Sequence, residues 1–157
     1  MGRVIVLMGS KSDLEQAQKV ANQLDAFKVP YMLRVASAHK SVAHLLAIIR
    51  ELQAAREPVV IITIAGRSNA LSGMVDANLT CPVIACPPQS TAFGGADIYS
   101  SLRMPSGVAP MVVLEPENAA LAAAKILALY DDALRERVRH YQQEMTDAVV
   151  AADQSLT

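Results

Sequence analysis

The sequence has no tryptophan, only two phenylalanines and four tyrosines. A flavin carrier needs aromatic rings to sandwich its cofactor, so this scarcity argues against one. Charge is also scarce: 18% of residues are charged, the net charge is −1, and no basic run occurs. Binding to a phosphate backbone needs clustered Lys and Arg, so nucleic acid is not an expected partner. No apolar run approaches the roughly 20 residues that span a bilayer. The first residues read as a strand rather than a signal peptide, and no membrane partner is expected. Two cysteines, Cys81 and Cys86, have no zinc-motif spacing and sit in apolar, strand-like sequence, where small thiols are buried. A reducing cytoplasm is the expected compartment. No group of Asp, Glu, His and Cys has metal spacing, so no metal and no cofactor are expected.

Apolar residues are plentiful, at 52%. A chain of 157 residues can bury roughly 70% of the surface its unfolded form exposes. Val4–Met8 is a short β-branched run ending at Gly9, as in a buried parallel strand. Asp13 opens a helix whose Leu14, Ala17, Val20, Ala21 and Leu24 share one face. Tyr31–Val35 is the second strand. Ser41 is the expected N-cap of a helix striped by Val42, Leu45, Leu46, Ile49 and Leu52. Pro58 precedes a third strand, Val59–Ile64, and a short helix then runs to about Leu79. Pro82 precedes a fourth strand, Val83–Cys86, and Met111–Leu114 is the fifth. Strands alternating with helices predict an α/β fold with a parallel sheet covered on both faces.

The tail differs. Asn118–Leu129 has so little polar face that near-complete burial is expected. Leu134, Val138, Tyr141, Met145 and Val149 then stripe a long final helix from Asp132 to about Ala152. That stripe packs on its own domain or on a neighbouring subunit; since the strands already have enough helices, the second is favoured.

In an open parallel sheet, ligands bind beyond the carboxyl ends of the strands. Four polar clusters fall on that rim. Gly9-Ser10-Lys11-Ser12-Asp13 offers amides and hydroxyls at a helix start, a natural phosphate site. Asp13 would repel phosphate, so it suits a ribose hydroxyl or simply caps the helix. Ser37-Ala38-His39-Lys40 places a hydroxyl, a proton-transferring imidazole and an ammonium in succession. Ala65-Gly66-Arg67-Ser68-Asn69 would cradle a small anion such as a carboxylate. Ser100-Ser101-Leu102-Arg103 lies in a connection longer than packing requires, Pro87 to Gly107. Taken singly, each cluster reads as an ordinary cap or solvated loop. Together, around one central His, they favour a site for a phosphorylated small molecule. His44 and His140 carry less weight, since neither pairs with His39 at ligand spacing.

These clusters resemble the purine-biosynthesis carboxylases and mutases acting on aminoimidazole ribonucleotide, the PurE (AIR carboxylase) family. The resemblance runs from about Val4 to Leu129 and rests on Met8-Gly9-Ser10-x-Ser12-Asp13, Ser37-Ala38-His39 and Met104-Pro105-x-Gly107. It implies a single-domain, three-layer flavodoxin-like fold with a five-stranded parallel sheet of order 2-1-3-4-5. The catalytic domain would span 1–130, with a C-terminal helical extension, 131–157, and octameric assembly. The mutase type typically follows the His with Arg-Thr-Pro and carries a second His in its third loop. Here Lys40-Ser41 follows His39, and the third loop is Ala65–Asn69. That resembles the second type, a phosphoribosylaminoimidazole carboxylase using free carbon dioxide, as the animal enzymes do.

The resemblance assigns His39 and Lys40 as catalytic residues. Ser10, Ser12, Ser37 and Lys40 would bind phosphate, Asp13 the ribose, and Gly66, Arg67, Ser68 and Asn69 carbon dioxide, with Ser101 and Arg103 completing the substrate site. Two rivals stand beside this reading: the mutase of the same family, and a flavodoxin-like phosphate-ligand binding module. A phosphoryl-receiving domain wants acidic residues after strands one and three, where this chain has Met8-Gly9 and Ala65-Gly66.

Overall fold

A run such as Val4–Met8 has no polar side chain to offer water, so it is stable only with neighbours on every side. The computed structural model, which describes residues 2–156, supplies them. β1 (Arg3–Met8) pairs in parallel with β2 (Tyr31–Val35) on one side and with β3 (Val59–Ile64) on the other. β4 (Val83–Ala85) and β5 (Met111–Val112) follow, giving a five-stranded parallel sheet of order β2-β1-β3-β4-β5.

Strand side chains alternate between faces. Val4, Val6 and Met8 join Val60, Ile62 and Ile64 in one core, against α1 (Leu14–Ala26), α5 (Pro116–Leu127) and the start of α6 (Asp132–Gln154). Ile5 and Leu7 join Val59 and Ile61 in a second core, against α2 (Val42–Gln53) and α3 (Ala70–Asp76). The result is the three-layer, flavodoxin-like architecture. The one polar residue of β3, Thr63, is buried and donates to the Ile84 carbonyl at 3.4 Å.

Register brings the strand ends level. Met8 lies beside both Val35 and Ile64, and Thr63 beside Ala85. The ladder runs one residue further at each end: Ala36 N donates to Met8 O, Gly9 N to Ile64 O and Cys86 N to Thr63 O, at 2.9, 2.8 and 2.8 Å. The loops that follow therefore leave from one rim.

Several elements differ from the sequence reading. α3 ends at Asp76, and Asn78 and Leu79 close turns beyond it. β4 ends at Ala85 and β5, an edge strand with a partner on one side only, ends at Val112. α5 begins at Pro116, a proline at a helix start where no amide is needed. Its Ala119, Ala120, Ala123 and Ala124 are fully buried, yet Lys125 and Leu129 are exposed, so burial is one-sided. The α6 stripe divides in two. Leu134 and Val138 enter the domain's own core, and Tyr141 meets Phe27 edge-on, with ring centroids 5.1 Å apart. Met145 and Val149 are 49% and 71% exposed. No helix among the described residues is long and apolar enough to cross a membrane.

A fourth short helix, α4 (Tyr99–Leu102), sits in the long connection between β4 and β5. The second half of that connection is pinned to α3. Met104 Sδ would lie 3.1 Å from a carbon added at Gly73, and Ala109 N donates to Asp76 Oδ2 at 2.7 Å.

Candidate active site

The level strand ends enclose a cleft of about 980 Å³. At its base Gly9 and Ala65 approach closely: a side-chain carbon added at Gly9 would lie only 3.3 Å from Ala65 Cβ. Around it stand Ser10, Ser12, Asp13, Ser37, Ala38, His39, Lys40, Gly66, Arg67 and Ser68.

The first wall is a single 3₁₀ turn, Lys11–Asp13, feeding α1. Ser10 and Asp13 form a reciprocal capping box. Ser12 N donates to Ser10 Oγ at 3.2 Å, and Ser10 N donates to Asp13 Oδ2 at 3.0 Å. Asp13 is therefore a cap and a cleft residue at once, since capping uses only one carboxylate oxygen. Burial pushes its carboxyl above the usual aspartate range, partly opposed by the Ser10 amide.

The second wall is built around Ser37. Its Oγ accepts from the amides of His39 and Lys40, at 3.3 and 3.1 Å, fixing the loop while leaving its own hydroxyl proton to donate. Ser41 does not cap α2 with its side chain. Its Oγ accepts from Ser37 N at 2.8 Å and donates to Ser37 O at 3.3 Å, so it braces this loop instead. His39 and Lys40 are both exposed to the cleft.

The third wall is strained. Arg67 has φ +60°, a left-handed conformation uncommon for a residue with a Cβ. Ser100 Oγ donates to the Arg67 carbonyl at 3.2 Å and accepts from Asn69 N at 2.9 Å, which holds the loop in place.

Three residues expected in the site do not line this cleft. Asn69 turns inward and is 3% exposed. Its Oδ1 accepts from Ser72 N at 3.2 Å, capping α3, and its Nδ2 donates to Ser101 Oγ at 2.9 Å. Ser101 is buried as that partner. Arg103 lies on the outer surface, beyond the cleft lining. The fourth wall is formed instead by Pro88, Gln89, Ser90, Ala92, Phe93 and Asp97. Its sequence signal is Pro87-Pro88, which turns the chain back over the rim, followed by the Gly94-Gly95 tip. A second hollow of about 710 Å³, lined by Pro58 and Pro82 among others, contains none of the expected site residues. No group of three or more His, Cys, Asp or Glu among the described residues is placed to hold a metal ion.

The family model described as AIR carboxylase matches residues 3–148. The chain belongs to the AIR carboxylase family. It is 54% identical, over 98% of its length and 84% of the relative's, to a phosphoribosylaminoimidazole carboxylase of Archaeoglobus fulgidus. A phosphoribosylaminoimidazole carboxylase of Treponema denticola is 50% identical, over 98% of this chain and 96% of the relative. The crystal structure of Treponema denticola PurE superposes with a TM-score of 0.98 at 48% identity, covering 100% of this chain and 99% of that one. An AIR carboxylase-family enzyme of purine biosynthesis is thus folded so that its hydroxyl, imidazole and cationic loops share one rim.

Proposed function

We propose that this enzyme carboxylates 5-aminoimidazole ribonucleotide with free carbon dioxide, reversibly and without ATP or cofactor, giving the 4-carboxy ribonucleotide. The observation that carries this reading is the meeting of His39 and Lys40 with the Ser10–Asp13 turn and the Gly66–Ser68 loop in one cleft.

The exocyclic amine pushes electrons into the imidazole, so ring carbon C4 attacks the carbon of carbon dioxide and a C–C bond forms. C4 then bears both hydrogen and carboxylate, and aromaticity is lost. A nitrogen of His39 takes that proton, the C–H electrons return to the ring, and His39 later yields the proton to solvent. A base so positioned contributes about 10²–10⁴ in rate. Ser10, Ser12, Ser37 and Lys40 hold the phosphate, and the free oxygen of Asp13 meets the ribose. Binding these remote groups supplies orientation at the reacting carbon. Gly66, Arg67 and Ser68 receive the new carboxylate, while Asn69 and Ser101 keep that loop in shape. Lys40-Ser41 after His39, in place of Arg-Thr-Pro, supports the carboxylase over the mutase. The enzyme would work in the cytoplasm as a homo-octamer, with the distal half of α6 and Arg103 facing neighbouring subunits.

The test is an ATP-free assay on purified protein. The carboxylase reading expects turnover of aminoimidazole ribonucleotide with bicarbonate-derived carbon dioxide. Turnover only of the N-carboxylated ribonucleotide would make the protein a mutase, and turnover of neither would leave a binding module.

A further inference from the structure

The wall opposite the strand ends contains a residue that the proposed reaction does not use. Phe93 lines the cleft with 92% of its surface exposed. The chain's other phenylalanine, Phe27, is 2% exposed and packed against Tyr141. Phe93 also has φ +49° and ψ +38°, and Gly94 and Gly95 continue in the left-handed region. A glycine would sit at position 93 without strain; a phenylalanine does not. Position 93 thus bears an unburied ring and an unfavourable backbone together, and no aromatic ring contact among the described residues offsets them. Strain of this kind collects at ligand clamps and active sites. Among the described residues, three non-glycine positions are left-handed, and two of them, Arg67 and Phe93, line this one cleft.

The segment is also anchored as a loop tip should be. On one side Gln89 Nε2 donates to Glu115 Oε1 at 3.1 Å. On the other, Ser100 Oγ lies 2.8 Å from the Asp97 carbonyl and shares its one proton between this oxygen and the Arg67 carbonyl. Three successive left-handed residues lie between these ties.

We propose that Phe93 is a substrate-binding residue whose ring stacks on the heterocycle of the bound ribonucleotide, covering the ring face and excluding water from the carbon that is carboxylated. The ligand class is an electron-rich aromatic ring carried on a ribose phosphate. Such rings stack offset on phenyl groups. A ribose phosphate alone offers no face to stack on. This inference rests on the proposed function, and the experiment separates the two.

Phe93→Ala, Phe93→Gly and Phe93→Trp would be titrated with 5-aminoimidazole ribonucleotide and with ribose 5-phosphate. Melting temperature and assembly mass would be recorded for each. The Ala and Gly variants should weaken the ribonucleotide about tenfold or more, the scale of base–aromatic stacking. Ribose 5-phosphate should stay within about twofold, because its contacts lie on the other walls. Phe93→Trp should restore ribonucleotide affinity. Phe93→Gly should melt no lower than wild type, because it removes a left-handed side chain. Equal losses for both ligands, no loss for either, or a fall in assembly mass with Phe93→Ala would overturn the inference. Wild-type protein that fails to bind the ribonucleotide at all overturns the proposed function and this inference with it. Wild-type binding at full strength with unchanged variants overturns this inference alone.

Discussion

The C-terminal end of β3 separates two kinds of region. From Val59 to Ile64 every side chain is buried. Directly beyond, Gly66 is half-buried and Arg67 and Ser68 are exposed. The same change occurs at β1, where Met8 is 2% exposed and Ser10 opens into the cleft. Interior positions hold their neighbours by apolar contact and bear no chemistry. Rim positions bear hydroxyls, an imidazole and cations, and contribute little apolar burial. Stability and reactivity are thus assigned to residues only a few positions apart, and substitutions should split along that line.

The largest effect is expected at the rim. His39→Asn should lower turnover of aminoimidazole ribonucleotide by about 10²–10⁴, the contribution of a positioned base. His39 is exposed, so the melting temperature should barely move. Near-normal turnover would end the proton-transfer role. The interior should show the converse. Ile62→Ala, at a position 0% exposed, should cost about 2–5 kcal/mol, read as a lower urea midpoint. The molecules that remain folded should bind ribose 5-phosphate normally, and a selective loss of binding would break the comparison.

Cys86 sits on the dividing line, and its effect is the smallest. It is 0% exposed at the end of β4, where Gln16 Nε2 donates to its carbonyl at 3.0 Å and lies 3.4 Å from its Sγ. Burial pushes its thiol up to about 11 from an ordinary 9.0. The unfolded thiol ionises first as pH rises. Stability from this group is therefore complete below about pH 9 and lost progressively toward pH 11. At about 1.4 kcal/mol per unit, the loss is on the order of 2–3 kcal/mol. Cys86→Ala should flatten that alkaline limb in urea titrations. An unchanged slope would mean that the thiol is not shielded.

Much of this was legible beforehand, for identifiable reasons. The continuous apolar runs of β1 and β3, the helix stripes and the prolines before β3 and β4 are local signals, and so is the placement of polar clusters after strand ends. What escaped was direction. Asn69 was expected in the cleft because its neighbours are there, but its side chain is claimed by Ser101, 32 residues away. Ser41 read as a helix cap until the Ser37 loop folded back on it. Periodicity in α6 marked an apolar face without saying what covers it, and Phe27 and the core take the first half only. Phe93 had no local signal at all, because a lone aromatic beside two glycines is an ordinary turn until the backbone angles are known.

Gly9 has a final consequence. A carbon added there would lie 3.3 Å from Ala65 Cβ, so the ends of the first and third strands stand this close only because it is absent. An extra methyl group there would press on Ala65 and push the two loops that follow these strands apart by a few tenths of an ångström. Substitution at Gly9 is thus a way to change the spacing of two cleft walls while leaving His39 and Lys40 in place.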